Sequence, residues 1–188
     1  MDNVAAVMIV VSDGLILSVS RRNNKTRFGL AGGKANENET PEDCAKRECA
    51  EETGINVKTC VPIFQRTVLR KTQDGDDFVV HCFYATEWSG EAKSIEDGID
   101  VKWISKHDLI TGPDNGGKGA FPEYNTQSLA ALEKMFPDIK LNQTKPEYFC
   151  KNCKRPIKSD VSFCEDLSDR CWKEWCVRQR MPKMPTKR

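Results

Sequence analysis

The sequence predicts an α/β fold, a mixed β-sheet flanked by helices, followed by a small cysteine-rich module. Three observations carry that expectation. Apolar strand-like runs stand before and after one well-bounded helical stretch, and a second helix closes the series. The first helix carries Glu48, Glu51 and Glu52 at i, i+3 and i+4, a spacing that stacks three carboxylates on one face. Five of the nine cysteines crowd between Cys150 and Cys176, in a region of positive charge.

In chain order, Val4–Val11 is a near-continuous apolar run, as in a strand buried on both faces. Asp13-Gly14 turns it into a second strand, Leu15–Val19, and Arg21 and Arg22 lead to a polar loop with Asn23, Asn24 and Lys25. Residues 28–34 (FGLAGGK) read as a glycine-rich loop able to turn tightly beside phosphate. The helix that follows has clear ends: Thr40 caps it, Pro41 takes its first position, Asp43 stands three residues after the cap, and Gly54 stops it. Residues 57–70 and 78–86 read as strands across the polar turn Gln73–Asp77, with Trp88-Ser89-Gly90 closing the hairpin. Another short strand spans Asp100–Ile104, Ser105 caps a short helix Lys106–Ile110, and a glycine- and asparagine-rich loop (residues 112–119) precedes a last helix, Thr126–Met135. There is no internal repeat.

The 188 residues suit one ordinary domain with an appendage. With 38% hydrophobic and 30% charged residues the chain reads as globular. Its formal net charge of +1 conceals a division: residues 145–188 hold 12 Lys and Arg against 6 Asp and Glu, and residues 1–144 hold 17 against 22. The expected boundaries are a main domain at 1–137, a linker at 138–147, a zinc-binding module at 148–180 and a basic tail at 181–188. No run reaches the roughly 18 apolar residues of a membrane helix. The N-terminus also lacks a basic-then-apolar leader, so the expectation is a cytoplasmic protein. An odd number of cysteines without an export signal points to metal ligands or buried thiols rather than disulfides.

Three adjacent anions repel, so a merely structural helix would avoid them; a hard divalent cation such as Mg²⁺, which prefers oxygen ligands, turns the repulsion into coordination. Written as spacing, the stretch is Gly33, five residues, Glu39, seven residues, then Arg47-Glu48-Cys49-Ala50-Glu51-Glu52-Thr53-Gly54-Ile55. It resembles the Nudix box, G-x5-E-x7-R-E-U-x-E-E-x-G-U with U aliphatic, and departs from it only softly, at Cys49. A solvated acidic helix would need no Gly33, Glu39, Arg47 or Gly54 at those places.

The resemblance covers roughly residues 3–137 and implies the Nudix α/β/α sandwich with a mixed sheet. It further implies a pyrophosphohydrolase of nucleoside diphosphates linked to a further group X, with Glu48, Glu51 and Glu52 holding Mg²⁺ or Mn²⁺. By the same resemblance Arg47 orients a glutamate and Glu39 fixes the loop–helix–loop. The general base is one of the three glutamates or an acid outside the box. For that outside position Asp97 and Glu96 precede Trp103 much as an accessory glutamate does in MutT-type enzymes, and Asp97 is by the same resemblance an expected fourth Mg²⁺ ligand. In those enzymes an arginine pair contacts the nucleotide, which here falls on Arg21 and Arg22. Gly32, Gly33 and Lys34 are the expected backbone and cation contacts for phosphate. The segment Phe121-Pro122-Glu123-Tyr124-Asn125 resembles the one in which an asparagine reads a purine; Asn125 is equally a plausible helix cap.

The substrate expected first is a (deoxy)nucleoside triphosphate or an oxidised purine nucleotide such as 8-oxo-dGTP, cleaved to the monophosphate. The alternatives are ADP-ribose or another nucleotide derivative, and a capped or triphosphorylated RNA 5′ end. Leu69–Gln73 holds none of the strings that mark the ADP-ribose, diadenosine polyphosphate or NADH enzymes of the family. A different class of function, a nucleotide-sensing domain without catalysis, usually goes with a decayed box, and this box is intact.

In the tail, Cys150-x2-Cys153 has the geometry of a tetrahedral Zn²⁺ knuckle. With Cys164 and Cys171 it makes a four-cysteine set similar to a zinc ribbon or treble clef, in which Arg155-Pro156 turns the chain and Val161–Phe163 returns as a strand. Cys176 is the alternative fourth ligand. It lies five residues from Cys171 on one helix, about 140° around the axis, so the two do not share an ion. The tail's basic residues make RNA, or another phosphate-rich partner, a candidate ligand. The remaining cysteines, 44, 49, 60 and 82, read as small core residues. His81 and His107 read as structural, Trp88 and Trp103 as core, and Trp172 and Trp175 as packing of the tail.

Overall fold

The computed structural model describes residues 3–68 and 78–142, together with the backbone of 148–149 and 156–157. The chain divides into two compact units, Met1–Thr144 and Lys145–Arg188. In the first, strand β1 (Asn3–Ile9) is central to a mixed sheet: it runs antiparallel to β5 (Ala31–Lys34) and parallel to β7 (Phe78–Ser89), which pairs antiparallel with β6 (Asn56–Val68). A second sheet is built on β3 (Leu15–Arg21), which pairs antiparallel with β2 (Val11–Ser12), β4 (Asn24–Gly29) and β8 (Val101–Ile104).

The period-2 alternation of strands explains why the sheets carry helices on both faces. From β1, Ala6 and Met8 enter a core shared with Cys44, Ala45 and Cys49 of helix α1 (Pro41–Thr53), whereas Ile9 and Val7 enter a second core. That second core holds Leu109 of α2 (Lys106–Ile110) and Leu129 and Leu132 of α3 (Pro122–Met135). Residues on β3 and β7 divide the same way, Leu17, Val19, Phe83 and Ala85 against Ile16, Cys82 and Tyr84. The expected α/β/α sandwich with a mixed sheet, and the two-sided burial of the first strand, are therefore what the chain forms. Cys44, Cys49 and Cys82 are buried as expected; burial raises the Cys44 and Cys49 thiols to about 11 and Cys82 to about 12. Trp88 and Trp103 pack against each other at 5.9 Å beside the α1 core.

Five expectations need correction. Asn24 and Lys25 begin β4 rather than lying in a loop, and the FGLAGGK stretch is the end of β4 followed by β5. Helix α3 begins at Pro122, four residues earlier than read, because proline at the first position supplies no backbone donor that would need a partner. Leu141 and Ile139, expected in the linker, pack in the α3-side core, and the Asn142 amide donates to the Gly14 carbonyl at 2.7 Å. In the second unit β9 (Tyr148–Phe149) pairs antiparallel with β10 (Pro156–Ile157), so Pro156 lies in a strand, not a turn. The Gln73–Asp77 turn, the five tail cysteines and the tail tryptophans and basic residues lie outside the described residues.

Glycine 32 shows how tightly β5 lies on β1. A Cβ there would approach the Ala6 carbonyl oxygen to 2.2 Å and the Val7 Cα to 2.7 Å, and its φ of 152° is one that side chains rarely adopt. Backbone is the obstacle, so no rotamer relieves it. Gly32→Ala should therefore destabilise the fold by at least about 3 kcal/mol, the upper end of ordinary overpacking costs, read as a fall in the denaturation midpoint.

Candidate active site

The site is assembled where α1 passes over β5. Thr40 accepts from the Asp43 amide at 3.1 Å and starts the helix, while Glu42 and Asp43 complement the positive end of its dipole. Gly54, at φ 72°, donates its amide to the Ala50 carbonyl and ends it. The last turn is electrostatically costly: Glu51 and Glu52 lie at the negative end, and the turn holds no basic residue.

Arg47 compensates part of that cost. Its Nε donates to Glu39 Oε1 at 2.8 Å and its Nη2 to Glu39 Oε2 at 2.9 Å, a bidentate pair. Its Nη1 donates to Glu48 at 2.8 Å and to Glu51 at 2.9 Å, and Nη2 also reaches the Lys34 carbonyl at 3.2 Å. Glu39 in turn accepts from the Asn36 amide at 2.8 Å, and these bonds hold its carboxyl down to about 2. The same partners push the Arg47 guanidinium further up. The expected roles of Arg47 and Glu39 thus have a geometric basis. One residue ties the loop before the helix, the strand before the loop and two of the three glutamates together.

The third glutamate is held differently. Glu52 turns toward β5 and accepts from the Gly32 amide at 2.9 Å. Burial, with a smaller contribution from the neighbouring Glu48, raises its carboxyl to about 7 against the Gly32 bond and the charges of Arg21 and Arg22. Glu48 lies over Gly33, where a Cβ would fall within 2.7 Å of all three of its carboxyl-group atoms. Glycines 32 and 33 lie in β5, where the lack of side chains lets the strand approach β1 and the carboxylates closely. Glu48, Glu51 and Glu52 share a face as the spacing predicts, but their side chains diverge, since each carboxylate takes the nearest donor. Among the described residues no three His, Cys, Asp or Glu side chains gather closely enough to be a ready-made metal cage.

The donor set nonetheless fits a hard divalent cation. It consists of carboxylate oxygens on Glu48 and Glu52, the charge of Glu48 raising the proton affinity of Glu52, above the paired glycines 32 and 33.

The opposite wall comes from loops. The segment after β7 is laid on the end of α1: the Lys93 amide donates to the Thr53 carbonyl at 2.9 Å and the Ile95 amide to the Glu52 carbonyl at 3.3 Å. It carries Glu96 to an ion pair with Arg22, whereas Asp97, on the turn that follows, is exposed. Arg21, at the end of β3, stacks its guanidinium over the Phe121 ring at 5.1 Å and still influences Glu52. Asn125 lies in the first turn of α3 and is not its cap. It is 1% exposed, and its amide donates to the Leu109 carbonyl at 2.9 Å, tying α3 to α2. Reading a base through Asn125 requires that bond to open. Sequence reasoning passed over Phe121; an aromatic side chain just before a proline-started helix gives no periodic signal.

A family model described as "NUDIX domain" matches residues 2–124. The chain belongs to the Nudix family. Three solved structures share its fold. A MutT Nudix hydrolase from Burkholderia pseudomallei is 22% identical over 69% of this chain and 98% of that one, with a TM-score of 0.56. The ORF135 protein of E. coli is 21% identical over 73% and 95%, with a TM-score of 0.55. The Nudix domain of Shewanella oneidensis NrtR, solved as a complex with ADP ribose, is 22% identical over 72% and 87%, with a TM-score of 0.54. As a Nudix hydrolase the protein acts on phosphorus anhydrides. No helix among the described residues is long and apolar enough to cross a membrane.

The state of Glu52 gives a pH test in the presence of chelator. An acid whose folded-state pKa lies above its value of 4.5 in the open chain holds more protons folded than unfolded. Stability should therefore fall as pH rises from about 4.5 to about 7 and stay low above that. Glu52→Gln keeps an acceptor for the Gly32 amide and removes the charge. At pH 8 it should raise stability by on the order of 1–3 kcal/mol, a gain that vanishes near pH 4 in denaturant titrations.

Proposed function

We propose that the protein is a divalent-cation-dependent nucleotide pyrophosphohydrolase whose substrate is a (deoxy)nucleoside triphosphate or an oxidised purine nucleotide, cleaved to the monophosphate. The observation that carries the reading is the seating of Glu48 over Gly33 and of Glu52 on the Gly32 amide, side by side on β5, with the charges of Arg21 and Arg22 within reach of Glu52. Glu48, Glu51 and Glu52 would hold Mg²⁺ or Mn²⁺, which neutralises pyrophosphate charge and lowers the pKa of water. Arg47 and Glu39 keep the glutamates oriented, as outer partners of ligating carboxylates do. Arg21 and Arg22 bring positive charge to the phosphate chain, and Glu96 holds Arg22 in place. Water attacks phosphorus, the anhydride P–O bond breaks, and the water's proton goes to a carboxylate of the set.

ADP-ribose, other nucleotide derivatives and RNA 5′ ends share the anhydride chemistry, and a panel of them with the products separated by chromatography (pyrophosphate and monophosphate from a triphosphate, two monophosphates from ADP-ribose) separates the possibilities. Glu51→Gln and Glu52→Gln should each lose orders of magnitude in turnover with the circular dichroism spectrum unchanged. Full turnover in both would leave a nucleotide-sensing domain as the better reading. Gly33→Ala should retain the fold, because the obstructing atoms are the end of the Glu48 side chain, yet weaken cation-dependent turnover by displacing it.

For the second unit we propose a structural Zn²⁺ held by Cys150, Cys153, Cys164 and Cys171. The support is their spacing and a hairpin whose strands, Tyr148–Phe149 and Pro156–Ile157, bracket the first cysteine pair in sequence. Four thiolates close the tetrahedron, so this ion would staple and not catalyse. Elemental analysis should find close to one zinc per chain, and its absence from an ordered tail would refute the staple. A basic, zinc-stapled tail fits RNA or another phosphate-rich partner, which salt-dependent binding would reveal.

A further inference from the structure

Residues 90–100, between β7 and β8, tie the two walls of the site together. At Gly90 the segment passes so close to the end of α1 that a Cβ would come to 2.5 Å from the Gly54 carbonyl oxygen. The Lys93 amide then donates to the Thr53 carbonyl at 2.9 Å and the Ile95 amide to the Glu52 carbonyl at 3.3 Å. Both carbonyls are among the last four of the helix, which have no partner within it. One residue further on, Glu96 pairs with Arg22. The backbone of Glu52 and the guanidinium of Arg22 are thus joined through neighbouring residues, 95 and 96. Beyond the turn the segment is anchored on β3. The Ser20 amide donates to the Asp100 carbonyl and the Asp100 amide to the Ser20 hydroxyl, each at 2.8 Å, while Ile99 is buried in the core shared with α1.

Between these anchors a side chain, that of Ser94, closes the turn. It donates its hydroxyl to the Ile99 carbonyl at 2.6 Å, with the Glu96 carbonyl also in range at 3.2 Å. Ser94 is exposed and its hydroxyl has water available, so the bond adds little to global stability. What it adds is shape, because the turn is made by Gly98, at φ 85° with open space where a side chain would be. We infer that Ser94 is a positioning residue for the hydrolysis: by holding the turn that carries Glu96, it sets where Arg22 stands relative to Glu52. The inference rests on the phosphate-binding role given to Arg22 in the function proposed above. The side chains of Arg22 and Glu96 are 66% and 38% exposed, and an ion pair in water fixes its own geometry weakly. The braced turn supplies the geometry that the pair alone does not.

The test is a double-mutant cycle on the steady-state hydrolysis of nucleoside triphosphates with Mg²⁺. Ser94→Ala should raise KM by about two- to tenfold, the worth of one hydrogen bond, and leave kcat unchanged. Ser94→Thr keeps the hydroxyl and should restore KM. In an Arg22→Ala background Ser94→Ala should add nothing, because the group it positions is gone. An unchanged KM in Ser94→Ala, or a rise of the same size with Arg22 absent, overturns the inference. A readout without substrate is hydrogen exchange of the Ile95 amide, which should quicken in Ser94→Ala; unchanged exchange would also overturn the brace. Wild-type protein inactive on every nucleotide would overturn the pyrophosphohydrolase and with it the role of Ser94, whereas active protein with additive effects would overturn that role alone.

Discussion

The whole site depends on holding several carboxylates together at the wrong end of a helix. Glu51 and Glu52 occupy the last turn of α1, where the helix dipole already disfavours negative charge, and Glu48 lies one turn behind. Two devices make this tolerable. Arg47 divides its five donors among Glu39, Glu48, Glu51 and the Lys34 carbonyl, and the Gly32 amide takes Glu52. The second device needs close approach: a side chain at 33 would meet the Glu48 carboxyl, and one at 32 would meet the β1 backbone at Ala6 and Val7. Sequence spacing, strand packing and charge are here one constraint seen at three levels.

The sandwich makes that constraint rigid on one side and adjustable on the other. Helix α1 and strand β5 are both held by β1, whose Ala6 and Met8 are fully buried in the α1 core. The facing residues, Arg21, Arg22, Glu96 and Phe121, come from strand ends and loops. Loops of this kind tolerate change without touching the core. In the function proposed above, the carboxylate wall would act on the anhydride bond, and the loop wall would be the part free to vary with the substrate.

What the sequence made legible follows from how each feature is encoded. Helix α1 was readable to the residue because Thr40, Pro41 and Gly54 act locally at its ends, and Glu39, Arg47 and the three glutamates carry a spacing with few other uses. Strands β4 and β5 were not readable, because Asn24–Gly29 is mostly exposed and polar and Ala31–Lys34 is half glycine; both are strands through their partners, not their composition. The divergence of the three carboxylates was hidden for a similar reason. Spacing says which face a side chain leaves from, whereas the Gly32 amide and the Arg47 guanidinium, distant in sequence, decide where it ends. Asn125 illustrates the converse: a short polar residue near a helix start suggests a cap, yet a longer helix makes it a buried tie to Leu109.

Charge at the site also explains why Glu52 is the residue under strain. Five carboxylates, Glu39, Glu48, Glu51, Glu52 and Glu96, face three guanidiniums, Arg21, Arg22 and Arg47. Arg47 is closely shared by Glu39, Glu48 and Glu51, and Arg22 is paired with Glu96. Glu52 is buried, with a backbone amide and only distant positive charge for partners, so the unmet negative charge appears as a raised affinity for a proton. A proton neutralises one charge of the two in excess, and a divalent cation neutralises both. The same arrangement that makes the empty site prefer a proton on Glu52 therefore makes a doubly charged ion the better occupant, and exchange of one for the other ties cation affinity to pH.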